Sequence, residues 1–223
     1  IMGFLLFFCR STTPIHPLIL RKSLNINKTM GQVGGIKISE DILVKGTKII
    51  GPFEYDALSE QIPKDYLRTI FEILFWSGMR YVELQRLYQY PDWWWPRKKA
   101  IHLPEFAQKK NKRKQPERYI YPLPPQFDMV MRYFFKGPKP PRLDVWGENM
   151  KRWAEKADMD PKGFSAKTTR KSIESWMVTA GMPLTSICLR QGHDNLTSMR
   201  HYQGLPFSDA EKAEIKKRLA WVH

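Results

Sequence analysis

Cysteine is nearly missing from this sequence. Cys9 and Cys188 are the only two in 223 residues, too few for a disulfide framework and without the spacing of a zinc ligand set. Such usage fits a reducing, cytoplasmic setting. Long hydrophobic runs are missing too. The most apolar stretch, residues 1–9, falls far short of the roughly 20 residues that cross a bilayer as a helix. It also lacks the basic start of a secretory signal, since its basic residues follow it. Acidic side chains are in deficit: 22 Asp and Glu stand against 37 Lys and Arg, for a formal net charge of +15. No carboxylate cluster has the look of a two-metal centre, so no metal and no cofactor is expected.

What is present is a foldable, basic chain. Hydrophobic residues make up 42% and aromatics 13%, which argues against wholesale disorder. The length suits one full domain and a short extra piece. The positive balance points to a polyanion, most simply nucleic acid. Anionic membrane is the rival reading, but no basic amphipathic anchor is visible, and no membrane partner is expected. Met2 and Met30 are both possible starts, so residues 1–29 read as a translated leader, an appended remnant or the edge of a larger domain. Residues 1–50 are expected to be a weakly structured extension, with one strand pair at 35–38 and 42–50. The body is expected at 51–223.

Along that body, Leu67, Ile70, Phe71, Leu74 and Phe75 recur at helical spacing and predict an amphipathic helix that Gly78 ends. Arg80 then opens a second helix, with Leu84 and Leu87 inward. By itself Arg80 reads more readily as a surface side chain paired with Glu83. Residues 91–124 read as β, with Ala100 to Leu103 and Tyr119 to Tyr121 as two strands of a hairpin. Between them stand Lys109, Lys110, Lys112, Arg113 and Lys114. A run like that is ordinarily a solvated loop, but it also neutralises phosphates and releases counterions, giving affinity without sequence preference. Pro138, Pro140 and Pro141 mark a loop before a helix carrying Trp146, Met150, Trp153 and Ala157. A further helix begins within 164–170, with Ile173, Trp176, Met177 and Ala180 as its buried stripe and Gly181 at its end. Lys167 and Arg170 are three apart at its start, where cations are unfavourable unless an anion binds nearby. Residues 208–222 carry Ile215, Leu219 and Val222 on one side of a last helix.

Near the C-terminus, Gly192-His193 stands nine residues ahead of Tyr202. Asp194 is a candidate N-cap, and Leu196 and Met199 supply the stripe of a short helix. A lone Tyr there is ordinarily a packed aromatic. It does not stand alone, because Arg80, the lysine-rich hairpin, Lys167-x-x-Arg170, Gly192-His193 and Tyr202 follow one another in order. That order resembles the catalytic set of the tyrosine recombinases (the phage integrase family) over roughly residues 52–223. The segment Gly78-Met79-Arg80-Tyr81-Val82-Glu83-Leu84 is similar to the family's first-arginine box. The second box is usually His-x-x-Arg; Lys167 replaces the His, as in archaeal and viral members.

The resemblance implies a mainly α catalytic domain with a small antiparallel β-sheet, cutting and rejoining duplex DNA at attachment sites of a mobile element. The residue types suit that chemistry without metal. Tyr202 attacks the phosphodiester and conserves its energy as a 3′-phosphotyrosine. Arg80 and Arg170 hold the non-bridging oxygens, and His193 adds a hydrogen bond. Lys167 stands where the family places a proton-handling His. A hairpin lysine protonates the leaving 5′ oxygen; Lys110 is the choice, with Lys109, Lys112 and Lys114 as rivals. The family also implies a homotetramer on paired DNA sites, its terminal segment docking on a neighbour. The alternatives are an inactive or truncated fragment that only binds DNA, a type IB topoisomerase-like enzyme, and a chromosome-dimer resolvase of the same family that differs only in its target.

Overall fold

The computed structural model describes residues 41–107, 117–193, 202 and 204–222, all within one unit, Ser39–His223. It begins with a tight hairpin, β1 (Leu43–Val44) against β2 (Thr47–Lys48). Residues 42–50 therefore fold back on themselves instead of forming one strand, because Lys45 and Gly46 both take positive φ and turn the chain. Residues 35–38, the expected partner, lie outside the described residues. The hairpin is not loose: Ile42, Val44, Ile49 and Ile50 are buried in the main core.

Helix α1 (Pro52–Glu60) follows, then α2 (Asp65–Ser77) with its stripe of Leu67, Ile70, Phe71, Leu74 and Phe75 buried as the periodicity predicts. Helix α3 (Tyr81–Gln89) starts after a short break. Among the described residues the β region has three strands where two were expected. β3 (Trp94–Trp95) pairs with β4 (Ala100–Leu103), and β4 with β5 (Arg118–Ile120), all antiparallel. Tyr121 falls beyond the last strand, before Pro122, which has no N–H for a ladder. Helix α4 (Phe127–Lys136) is absent from the sequence reading; Phe127, Met131 and Phe134 are its buried residues. Helix α5 (Leu143–Lys156) buries Trp146, Met150 and Trp153 in the predicted register.

Helix α6 (Thr168–Thr179) organises the rest. The expected stripe of Ile173, Trp176 and Met177 is buried, but so are Thr168, Thr169, Arg170, Ser172, Glu174 and Ser175. It is enclosed because α2, α7 (Leu184–Gln191), α8 (Asp209–Arg218) and β2 all pack on it. Its two buried serines are satisfied locally, Ser172 Oγ donating to Thr168 O at 2.8 Å and Ser175 Oγ to Lys171 O at 2.8 Å. The hairpin is tied to it directly. Ile50 N donates to Ser172 Oγ at 2.9 Å, and Trp176 Nε1 donates to Ile50 O at 2.9 Å.

Helix α8 ends at Arg218, before the expected limit, and a 3-10 turn, Ala220–Val222, completes the tail. Ile215 and Leu219 are fully buried in this chain's own core, and Arg218 clasps Asp56 of α1 at 2.7 and 2.8 Å. The described tail thus packs on α1 and α6 of its own chain. No helix among the described residues is long and apolar enough to cross a membrane.

Candidate active site

The site is built where α2 and α7 both end in left-handed glycines. Gly78 (φ +65) and Gly192 (φ +64) turn the chain sharply, and neither spot has room for a side chain. A Cβ on Gly78 would lie 2.2 Å from Gln191 Nε2, and one on Gly192 would lie 2.7 Å from Arg118 Nη1. Arg190 clamps the two helices together. Its guanidinium donates to Ser77 O at 3.0 Å and to Trp76 O at 2.8 Å, a cation at the carbonyl end of α2.

Arg80 follows two residues after Gly78 and precedes α3. Its backbone N–H and its Nη1 both donate to Glu83, at 2.7 and 2.8 Å. The surface pairing anticipated as an alternative is therefore real, but Glu83 is fully buried and is shared with Arg118, whose Nη2 donates to it at 2.8 Å. Burial by itself would push the Glu83 carboxyl up; Arg118, Arg170 and Arg80 outweigh it and hold it below the ordinary value. Arg80 keeps 29% of its side chain exposed, so the guanidinium is fixed on one side and open on the other.

Arg170 lies in the first turn of α6 and is buried. Its Nη1 donates to Gly78 O at 2.8 Å and to Gln191 Oε1 at 3.0 Å, and Nη2 donates to Gln191 O at 2.6 Å. The first of these joins residues 92 apart in sequence. Burial above all pulls its pKa down, to about 10, with Arg80 and Arg118 adding to the fall and Glu174 opposing it; it stays cationic at neutral pH. His193 Nε2 lies 3.4 Å from Arg170 Nη2 and 2.8 Å from Glu174 Oε1. Tyr202 is buried, and its hydroxyl is hydrogen-bonded to Glu174. Burial, then the Glu174 charge, pushes the phenol far above its ordinary value.

Four of the six residues nominated as catalytic thus share a neighbourhood: Arg80, Arg170, His193 and Tyr202. Lys167 is at the head of α6 but exposed, and its backbone N–H donates to Ser165 Oγ at 3.2 Å. Lys110, like Lys109, Lys112, Arg113 and Lys114, lies outside the described residues, as do Asp194, Leu196 and Met199 of the expected short helix. Sequence reasoning missed Glu174, Arg118 and Gln191. Only Glu174 left a signal, as a carboxylate four residues after Arg170 on a helix flank where apolar residues dominate.

No protein-family model matches this sequence, and no curated protein does. Solved structures do. A Tn1549 transposon integrase fragment in complex with circular intermediate DNA superposes with a TM-score of 0.60 at 18% identity, over 77% of this chain and 66% of that one. XerA recombinase gives 0.56 at 13% identity, over 77% and 65%. The chain spans about two thirds of the length of these solved chains. The fold is that of a tyrosine recombinase catalytic domain, mainly helical with small antiparallel sheets.

Proposed function

We propose that this chain is a tyrosine-type site-specific recombinase, breaking and rejoining duplex DNA to integrate or excise a mobile element. The supporting observation is convergence. Arg80, Arg170, His193 and Tyr202 come from four separate stretches and meet beside two buried carboxylates, Arg80 paired with Glu83, and Arg170, His193 and Tyr202 gathered on Glu174. In the proposed reaction the Tyr202 oxygen attacks phosphorus, the bond to the 5′ oxygen breaks, and a 3′-phosphotyrosine remains. Arg80 and Arg170 stabilise the charge gathering on the non-bridging oxygens, and His193 donates to the same oxygens. Lys167 handles the proton of Tyr202. Lys110 supplies the proton to the departing 5′ oxygen, while Lys109, Lys112, Arg113 and Lys114 hold the backbone through phosphates. The Lys-x-x-Arg second box supports an archaeal- or viral-type member, acting as a homotetramer on paired attachment sites in the cytoplasm.

The test uses a pool of nicked random-sequence duplexes. Incubation should give a denaturation-resistant protein–DNA adduct, whose recovered DNA reports the site. Tyr202→Phe should bind the pool like the parent and yield no adduct. An adduct that survives this change removes Tyr202 as nucleophile. No adduct from the parent, with DNA binding intact, leaves a DNA-binding module only. Supercoil relaxation that needs no paired sites would identify the topoisomerase-like alternative.

A further inference from the structure

Glu174 has no part in the reaction just proposed, yet it is the acid about which that site is arranged. Its carboxylate is 1% exposed. It pairs with Arg170, whose Nε lies 3.0 Å away, lies 2.8 Å from His193 Nε2, and takes the hydroxyl hydrogen bond of Tyr202. The first contact is inherent in a helix, since residues four apart stand on one face. The other two come from the chain beyond α7, and only the tertiary fold delivers them.

A buried anion here has a consequence for any phosphate that enters. Arg170 and His193 are donors that a phosphodiester would use, and Glu174 already draws on both. Without DNA, the carboxylate satisfies buried donors that would otherwise stand unpaired at large cost. With DNA, it competes for them. Glu174 is also a poor proton acceptor for Tyr202. Burial would push its pKa up, but Arg170, the hydrogen bond and charge of His193, and the Tyr202 hydroxyl together hold it below its ordinary value. The phenol has moved in the opposite direction, so transfer between them runs uphill. A general-base role is therefore disfavoured, and a holding role remains.

Resting on the recombinase reading, we propose that Glu174 is a positioning residue that holds Tyr202 in store. Its carboxylate binds the hydroxyl together with Arg170 and His193 and yields the tyrosine when a phosphate takes over those two donors. The charged groups facing Glu174 are Arg170 and Lys171 from α6, Arg190 from α7 and His193 after it, with the Cys188 thiol also near; those facing Tyr202 are Glu174 and Arg170.

Tyrosine nitration by tetranitromethane, read by peptide mass spectrometry on the full chain without DNA, tests this. The reagent attacks phenolate, so removing one adjacent negative charge that raises a phenol by a pH unit should speed nitration about tenfold. In Glu174→Gln, Tyr202 should be nitrated about tenfold or more faster, while Tyr55 and Tyr81, buried elsewhere, stay at parent rates. An unchanged Tyr202 rate, or an equal rise at all three tyrosines, overturns the proposal; the latter means general loosening. Should Glu174→Gln not fold, Tyr202→Phe decides, because it keeps every charge. Its Glu174 carboxyl should titrate at higher pH than in the parent by ¹³C NMR, and an unmoved titration overturns the proposal. The nicked-duplex adduct reports separately on the recombinase reading. Faster nitration with no adduct keeps the storage contact and sinks that reading, and an adduct with unchanged nitration does the reverse.

Discussion

Two arginine–glutamate pairs face the same site and differ in what their acids do. Arg80 pairs with Glu83 three residues on, and Arg170 with Glu174 four residues on. Both carboxylates are buried and both are held below the ordinary carboxylate value. Glu83 spends its remaining acceptor capacity on Arg118, a strand residue that is itself buried. Glu174 spends it on His193 and Tyr202. The first pair is joined to framework, and the second to groups that the proposed reaction has to move. The same local spacing therefore yields an anchor in one place and a contact to be broken in the other.

The comparison breaks most visibly in cleavage. Arg80→Ala and Arg170→Ala should each slow adduct formation by about 10²–10³-fold, as for loss of one transition-state donor. Arg170→Ala should also lower the melting temperature more than Arg80→Ala, because Arg170 bridges Gly78 and Gln191 and Arg80 is partly solvated. Equal melting shifts would mean that Arg170 is no more structural than Arg80.

Next comes the anchor. Glu83→Gln leaves Arg118 buried beside a neutral amide and should cost about 3–5 kcal/mol of unfolding free energy at neutral pH, measured by denaturant titration. The folded pKa of Glu83 is depressed, so its contribution is present above the unfolded value and is lost as pH falls through the folded one. Parent and variant should converge in acid. A gap that stays constant with pH would rule out the ionised pair as its source.

Gly78→Ala should cost about 1–3 kcal/mol, since φ is +65° and the new Cβ would strike Gln191. The damage should reach Arg170, which Gln191 holds. A variant that melts early but forms adduct at the parent rate would show that the two are uncoupled.

The smallest effect concerns a third acid, half-buried, with a different fate. Glu72 has only Arg68 opposing its burial, and its pKa is pushed up to about 7. A raised folded value stabilises fully below the unfolded pKa, and that contribution is lost as pH rises through about 7. Glu72→Gln should therefore raise the melting temperature by a few degrees at about pH 8 and little at about pH 4. No difference between the two would mean that Glu72 is solvated when ionised.

The sequence by itself determined the elements whose physics is local. Leu67 to Phe75 carry a helical period, Gly78 ends it because its backbone turns left-handed, and Arg80 lands just past that turn whatever the rest of the chain does. Arg170 at the head of α6 is legible for the same reason, as is the charge that suggests a polyanionic partner. Helix α4 escaped because the preceding residues read as β and its three buried positions, Phe127, Met131 and Phe134, make only a thin stripe. Periodicity also reports one apolar face, so it could not tell that α6 would be enclosed on nearly every side. What only the tertiary structure decided is which charges meet. Glu83 reaches Arg118 across 35 residues, Arg170 reaches Gly78 across 92, and Glu174 gathers His193 and Tyr202 from beyond α7. Spacing along the chain cannot carry that information, because a buried carboxylate needs a cation close in space, and packing alone supplies it.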